Sequence, residues 1–117
     1  MTLRDFGRFG QFVLDGGRIN SESIVPDNWF QAATQTQIPL WGGWGYGYQW
    51  WTMNDGTFRA IGIHGQMIHI DPERHLVVAI YSAWPEAESD KRRAAVAIFL
   101  KNITKEIDEE GTESPNP

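Results

Sequence analysis

With 117 residues, 41% of them apolar and none of them cysteine, the chain has room for one modest core, and collagen, disulfide scaffolds and full-length disorder are excluded. Ten Lys and Arg face fifteen Asp and Glu, but Glu106, Asp108, Glu109, Glu110 and Glu113 supply five of those acids, so residues 1–105 are neutral and the tail is acidic. A neutral body offers no clustered basic face for a phosphate backbone, so no nucleic-acid partner is expected, and no apolar stretch approaches the roughly 18 residues of a membrane span.

Thr2 and Asp5 have the spacing of a capping box with Asp in the Glu/Gln position, and Leu3, Phe6, Phe9 and Val13 recur at helical spacing. A helix is predicted over about residues 3–15, ended by left-handed backbone at Gly16-Gly17. Gly7 and Gly10 inside it cost about 1 kcal/mol each relative to Ala, which implies close packing there. A second short helix opens at Pro26-Asp27, with Trp29, Phe30 and Ala33 as its apolar face, and fades into residues 34–39.

From Trp44 to Met53 the chain is aromatic and largely alternating, and Asn54-Asp55-Gly56 is a hairpin signal, giving strand, turn, strand. The second strand covers about residues 57–63, His64-Gly65-Gln66 interrupts it, and Met67–Ile70 resumes. Asp71-Pro72-Glu73-Arg74 then turns into the apolar run Leu76–Tyr81, which reads as a central strand covered on both faces. Lys91-Arg92-Arg93 reads as the solvated start of a long helix whose buried stripe is Val96, Phe99, Leu100, Ile103 and Ile107. Residues 1–107 form one unit without linker or repeat, and residues 108–117, acidic with Pro and Ser, are expected to be a disordered tail.

A nucleophilic site needs an activated hydroxyl or thiol with a base in reach. Ser21, Ser23, Ser82, Ser89 and Ser114 are followed three residues later by Ile24, Pro26, Pro85, Arg92 and Pro117, so no Ser-x-x-Lys exists, and neither does a Gly-x-Ser-x-Gly elbow. The histidines make a poor metal set: His64 and His69 differ by five along extended chain and point to opposite faces, and His75 lies in a turn. No metal or other cofactor is expected. Absence of cysteine removes disulfide and thiolate chemistry without fixing a compartment.

What remains is Gly62-Ile63-His64-Gly65-Gln66, where glycines flank an imidazole between two strand segments. Such glycines permit close approach by a ligand and leave peptide N–H groups free, as an oxyanion hole requires; a bulge with a satisfied histidine is the plainer alternative. The aromatics of Trp41–Trp51 fit a core, and alternatively a stacking platform for sugar rings.

Met1 to Gly10, then Leu14-Asp15-Gly16-Gly17, Ile24-Val25-Pro26 and Trp29, resemble the helix-and-hairpin signature of the serine beta-lactamase-like hydrolases. Gly45-Tyr46-Gly47-Tyr48-Gln49-Trp50-Trp51, Gly62 to Gln66, Ile70-Asp71-Pro72 and Leu76-Val77-Val78 continue the resemblance in the family's order, over about residues 1–105. Within that family the chain is most similar to the class C-like esterases and 6-aminohexanoate-dimer hydrolases.

The resemblance implies an α+β fold: an antiparallel sheet over about residues 44–82 with flanking helices, part of a beta-lactamase/transpeptidase-like fold. The C-terminal helix would lie on one face, and the N-terminal helix would belong to an adjoining helical region. It further implies the C-terminal portion of a larger enzyme that cleaves an ester or amide through an acyl-enzyme. The partners implied are a small-molecule ester or amide and the missing N-terminal part of the same enzyme.

The family's Ser-x-x-Lys and Tyr-x-Asn elements are absent here, which makes the chain inactive alone. His64-Gly65-Gln66 stands near the place of the family's Lys-Thr-Gly triplet. By that analogy the Ile63 backbone N–H is the oxyanion donor, and Gly62, His64, Gly65 and Gln66 line the pocket. An aromatic-rich carbohydrate-binding module and a non-catalytic partner subunit are the alternatives.

Overall fold

A computed structural model of the chain describes residues 1–112. In chain order the elements are α1 (Leu3–Leu14), β1 (Arg18–Ile19), β2 (Glu22–Ser23), α2 (Trp29–Ala33), β3 (Ile38–Pro39), β4 (Trp44–Tyr46), β5 (Trp51–Met53), β6 (Phe58–Ile61), a 3-10 turn (Ile63–Gly65), β7 (Met67–Asp71), β8 (Leu76–Ile80) and α3 (Asp90–Thr112). Strands β3 to β8 form one sheet in sequence order, each antiparallel to the next, while β1 and β2 pair separately.

α1 starts at the Thr2/Asp5 capping box, with the Asp5 N–H donating to Thr2 Oγ1 at 3.1 Å, and ends where Gly16 and Gly17 take positive φ. It does not belong to an adjoining helical region, as the resemblance suggested; it packs on β7 and β8. Gly10 allows this contact: a Cβ there would sit 2.5 Å from Val77 Cγ1 and 3.0 Å from Ile68 Cγ2. The core forms between α1 and the sheet from Val13, Ala33, Trp50, Phe58, Ile68 and Ile70.

α2 begins at Trp29, later than the Pro26-Asp27 opening, because Pro26 to Trp29 close a turn and Asn28 takes left-handed backbone. The aromatic run 44–53 is not one strand. A side chain at Gly47 would overlap the Ala33 carbonyl oxygen, the Tyr48 N–H donates to that same oxygen at 2.9 Å, and Gln49 has φ 69°, so the chain reverses and β5 returns along β4. The Asn54-Asp55-Gly56 turn joins β5 to β6, with Asp55 Oδ1 accepting from the Thr57 N–H and Oγ1.

β8 is an edge strand among the described residues rather than a central one; fully buried β7 lies inside it. α1 covers one face of β8, and the strand is half-buried along its length. α3 turns Leu100 inward, half-buries Val96, Ile103 and Ile107, and leaves Phe99 49% exposed, so the stripe is narrower than the sequence implied. The helix also runs through residues 108–112, where a disordered tail was expected, and Asp108 is held by Arg74 at 2.8 Å. Residues 113–117 of that tail lie outside the described residues.

Candidate functional site

The five residues singled out between β6 and β7 form a tight reversal. The Gly62 N–H donates to Gln66 O at 2.9 Å, His64 takes φ 58° and Gly65 takes φ 89°. Gly65 is required twice over, since a Cβ would also meet Ser82 Cβ at 2.6 Å and the Trp84 indole. The turn is clamped by the segment that follows β8: the His64 N–H donates to Ala87 O at 2.8 Å, and the Trp84 N–H to His64 O at 3.2 Å.

These bonds separate the five residues by role. His64 Nδ1 lies 2.8 Å from Trp84 O; a carbonyl only accepts, so the proton sits on Nδ1 and the ring is committed to the clamp. Gln66 Nε2 donates to Ser82 O. Gly65 is buried. Ile63 differs: the residue is 62% exposed, and its N–H meets no acceptor among the described residues.

Ile63 borders an open cleft of about 560 Å³ whose other walls are Leu40, Trp41, Trp44, Trp51 and the start of α3. Trp41 is 79% exposed, whereas Trp50 is in the core, so the tryptophans divide between cleft and interior. Trp44 and Trp51 meet edge to face at 6.2 Å, and Arg59 stacks over Trp44.

At the α3 end, Arg93 is not the solvated residue its basic triplet suggested. Its guanidinium donates to Gly62 O at 3.0 Å, pairs with Glu88 through two bonds and lies over the Trp84 ring at 4.8 Å. The hydrogen bond from Arg93 holds the Glu88 carboxyl below its ordinary value. Sequence reading missed Arg93, though a signal existed: cations are disfavoured in the first turn of a helix, so a basic triplet there calls for a local partner.

The other histidines lie elsewhere. His69 is buried beneath α3 and accepts from Arg59 Nε at 3.0 Å; burial, then the Arg59 charge, lowers its pKa to about 4. His75 is in the β7–β8 turn at φ 51°. Among the described residues no group of three or more metal-ligating side chains converges. No helix among them is long and apolar enough to cross a membrane.

An antiparallel sheet between two helices, with a clamped Gly-Ile-His-Gly turn at one end, coincides with a match of residues 1–102 to the family described as Beta-lactamase. The chain belongs to the beta-lactamase family. Within it, the chain is 28% identical over 119 residues to a 6-aminohexanoate-dimer hydrolase of Paenarthrobacter ureafaciens, covering 92% of this chain and 30% of that protein. Among solved structures it superposes with a TM-score of 0.77 and 26% identity on a Bacillus anthracis protein provisionally assigned as a 6-aminohexanoate-dimer hydrolase, covering 92% of this chain and 29% of that one. The chain thus spans under a third of the relatives it matches, and its α+β architecture, an antiparallel sheet flanked by helices, is that of the beta-lactamase-like fold.

Proposed function

We propose that the chain is the oxyanion-side wall of a serine hydrolase that cleaves an ester or amide through an acyl-enzyme, with Ile63 N–H as an oxyanion donor. The observation that carries this reading is the Ile63 N–H, without an acceptor among the described residues, in a turn held rigid on both sides. A nucleophilic serine oxygen adds to the substrate carbonyl and its proton passes to the leaving alcohol or amine. The tetrahedral oxyanion accepts from Ile63 N–H, and water then cleaves the acyl ester. The sequence holds no Ser-x-x-Lys and no Tyr-x-Asn, so the attacking hydroxyl and its bases belong to a separate segment, and these 117 residues alone are inactive.

Gly62 and Gly65 shape the turn, while His64 and Gln66 hold it through their side chains. The indoles of the cleft give the acyl or leaving group an apolar surface. The test is Ile63→Pro in the enzyme assembled with its Ser-x-x-Lys segment. Gly62 is extended, at φ −113° and ψ 165°, and Ile63 opens a 3-10 turn, so proline fits the backbone and removes the donor, with Ile63→Ala as the control for the lost side chain. The expected result is a loss of about 10²–10³ in kcat. Unchanged turnover of a p-nitrophenyl ester, or fluorophosphonate labelling of the 117-residue chain itself, overturns the proposal.

The 79% exposure of Trp41 beside Trp44 favours a second reading, in which the cleft stacks a sugar ring. Sugar-dependent tryptophan fluorescence that is lost in Trp44→Ala would establish it.

A further inference from the structure

Gly62 C=O and Ile63 N–H are the two ends of one trans peptide unit, so they point in opposite directions and turn together. Gly62 and Ile63 both border the aromatic cleft; the Ile63 N–H has no acceptor among the described residues, and the Gly62 carbonyl accepts a charged hydrogen bond of 3.0 Å from Arg93 Nη2. Arg93 is itself immobilised. Glu88 Oε1 accepts from Nη2 at 2.6 Å and Glu88 Oε2 from Nε at 3.0 Å, while the Trp84 indole covers the guanidinium plane. Only a planar fork can hold a carboxylate, reach a carbonyl and stack on an indole at once, and lysine cannot.

We propose that Arg93 is a positioning residue that orients and polarises the Gly62–Ile63 peptide, fixing the direction in which Ile63 N–H is presented and strengthening it as a donor. This rests on the reading of Ile63 N–H as an oxyanion donor. A cation on the carbonyl draws charge through the amide, and hydrogen bonds in series polarise one another. The unfavourable place of Arg93 in the first turn of α3 is offset by Glu88 and by the Gly62 carbonyl. Segment 84–93 therefore grips the turn at three points: Trp84 and Ala87 hold His64 by its backbone, and Arg93 holds Gly62.

The proposal is tested by two measurements on Arg93→Lys, Arg93→Ala and Glu88→Gln. In the full chain, the Gly62 carbonyl-carbon and Ile63 amide-nitrogen resonances are expected to shift more than those of any residue not touching position 93 or 88, most in Arg93→Ala and least in Arg93→Lys. In the enzyme joined to its Ser-x-x-Lys segment, kcat is expected to fall about 10–100-fold with KM unchanged, with partial rescue in Arg93→Lys. Unmoved Gly62 and Ile63 resonances in a folded Arg93→Ala or Glu88→Gln variant overturn the proposal. Resonances that move while kcat stays constant keep the hold of Arg93 on the peptide and overturn instead the role of Ile63 N–H in catalysis.

Discussion

On the face of the sheet under α1, Phe58, Ile68 and Ile70 pack against Val13, Ala33 and Trp50, whereas the residues alternating with them, Arg59, His69 and Asp71, meet α3 as a hydrogen-bonded polar layer. On β7 both sides are buried: Ile70 is 0% exposed, His69 3% and Asp71 2%. The apolar face is held by non-directional burial and tolerates any side chain of the right shape. The polar face is held by pairing. Arg59 donates to His69, Arg74 bridges Asp71 to the half-exposed Asp108, and the buried members, His69 and Asp71, depend on these partners. Full burial of β7 is therefore compatible with opposite chemistries on its two sides.

The contrast can be broken first on the apolar side. Ile70→Ala, at a position with no exposure, is expected to cost about 2–5 kcal/mol in urea unfolding, because the cavity is lined by residues that cannot collapse into it. Retention of full stability would show that α1 is not the principal support of the sheet.

On the polar side the expected effect depends on pH. Burial and the nearby Arg59 charge lower the His69 pKa from 6.5 to about 4, so the fold favours neutral imidazole. The unfolded chain takes up the proton near 6.5 and the folded one does not, so the contribution is complete above about 6.5 and is lost as pH falls toward about 4. His69→Leu is expected to flatten that part of the stability profile, and Arg59→Met to lift the His69 pKa toward its ordinary value, both readable by urea titration at pH 7 and pH 4.5. A profile unchanged in His69→Leu would mean that other groups carry the acid sensitivity.

The smallest effect belongs to the rim of the polar layer. Asp108 pairs with Arg74 on the solvent side, and Asp108→Ala is expected to lower Tm only slightly, with the difference shrinking in high salt. A large, salt-independent loss would place that network in the interior instead.

The site was half legible. The interruption at His64-Gly65-Gln66 could be read from sequence, because the positive φ and close approach at Gly65 leave a residue-type signature. The role of Arg93 was not legible, because its partner Gly62 lies 31 residues away and is a backbone carbonyl that no side-chain pattern betrays. The aromatic run 44–53 misled for a similar reason: alternation suggested one strand, and the excluded volume at Gly47 comes from Ala33 in a different element.

By itself the sequence determined the α1 cap, its Gly16-Gly17 end, the Asp55 turn and the 71–74 turn, since these depend on contacts a few residues apart, but not the reversal at 62–66, which brings β7 back antiparallel to β6 where one interrupted strand was expected. Only the tertiary structure decided that α1 covers the sheet, that β8 is its edge among the described residues, that the polar side of β7 faces α3, and that the Ile63 N–H has no acceptor among the described residues while its carbonyl neighbour is gripped. Those outcomes depend on which distant groups exclude water from which face, and chain connectivity leaves no local pattern from which to read that.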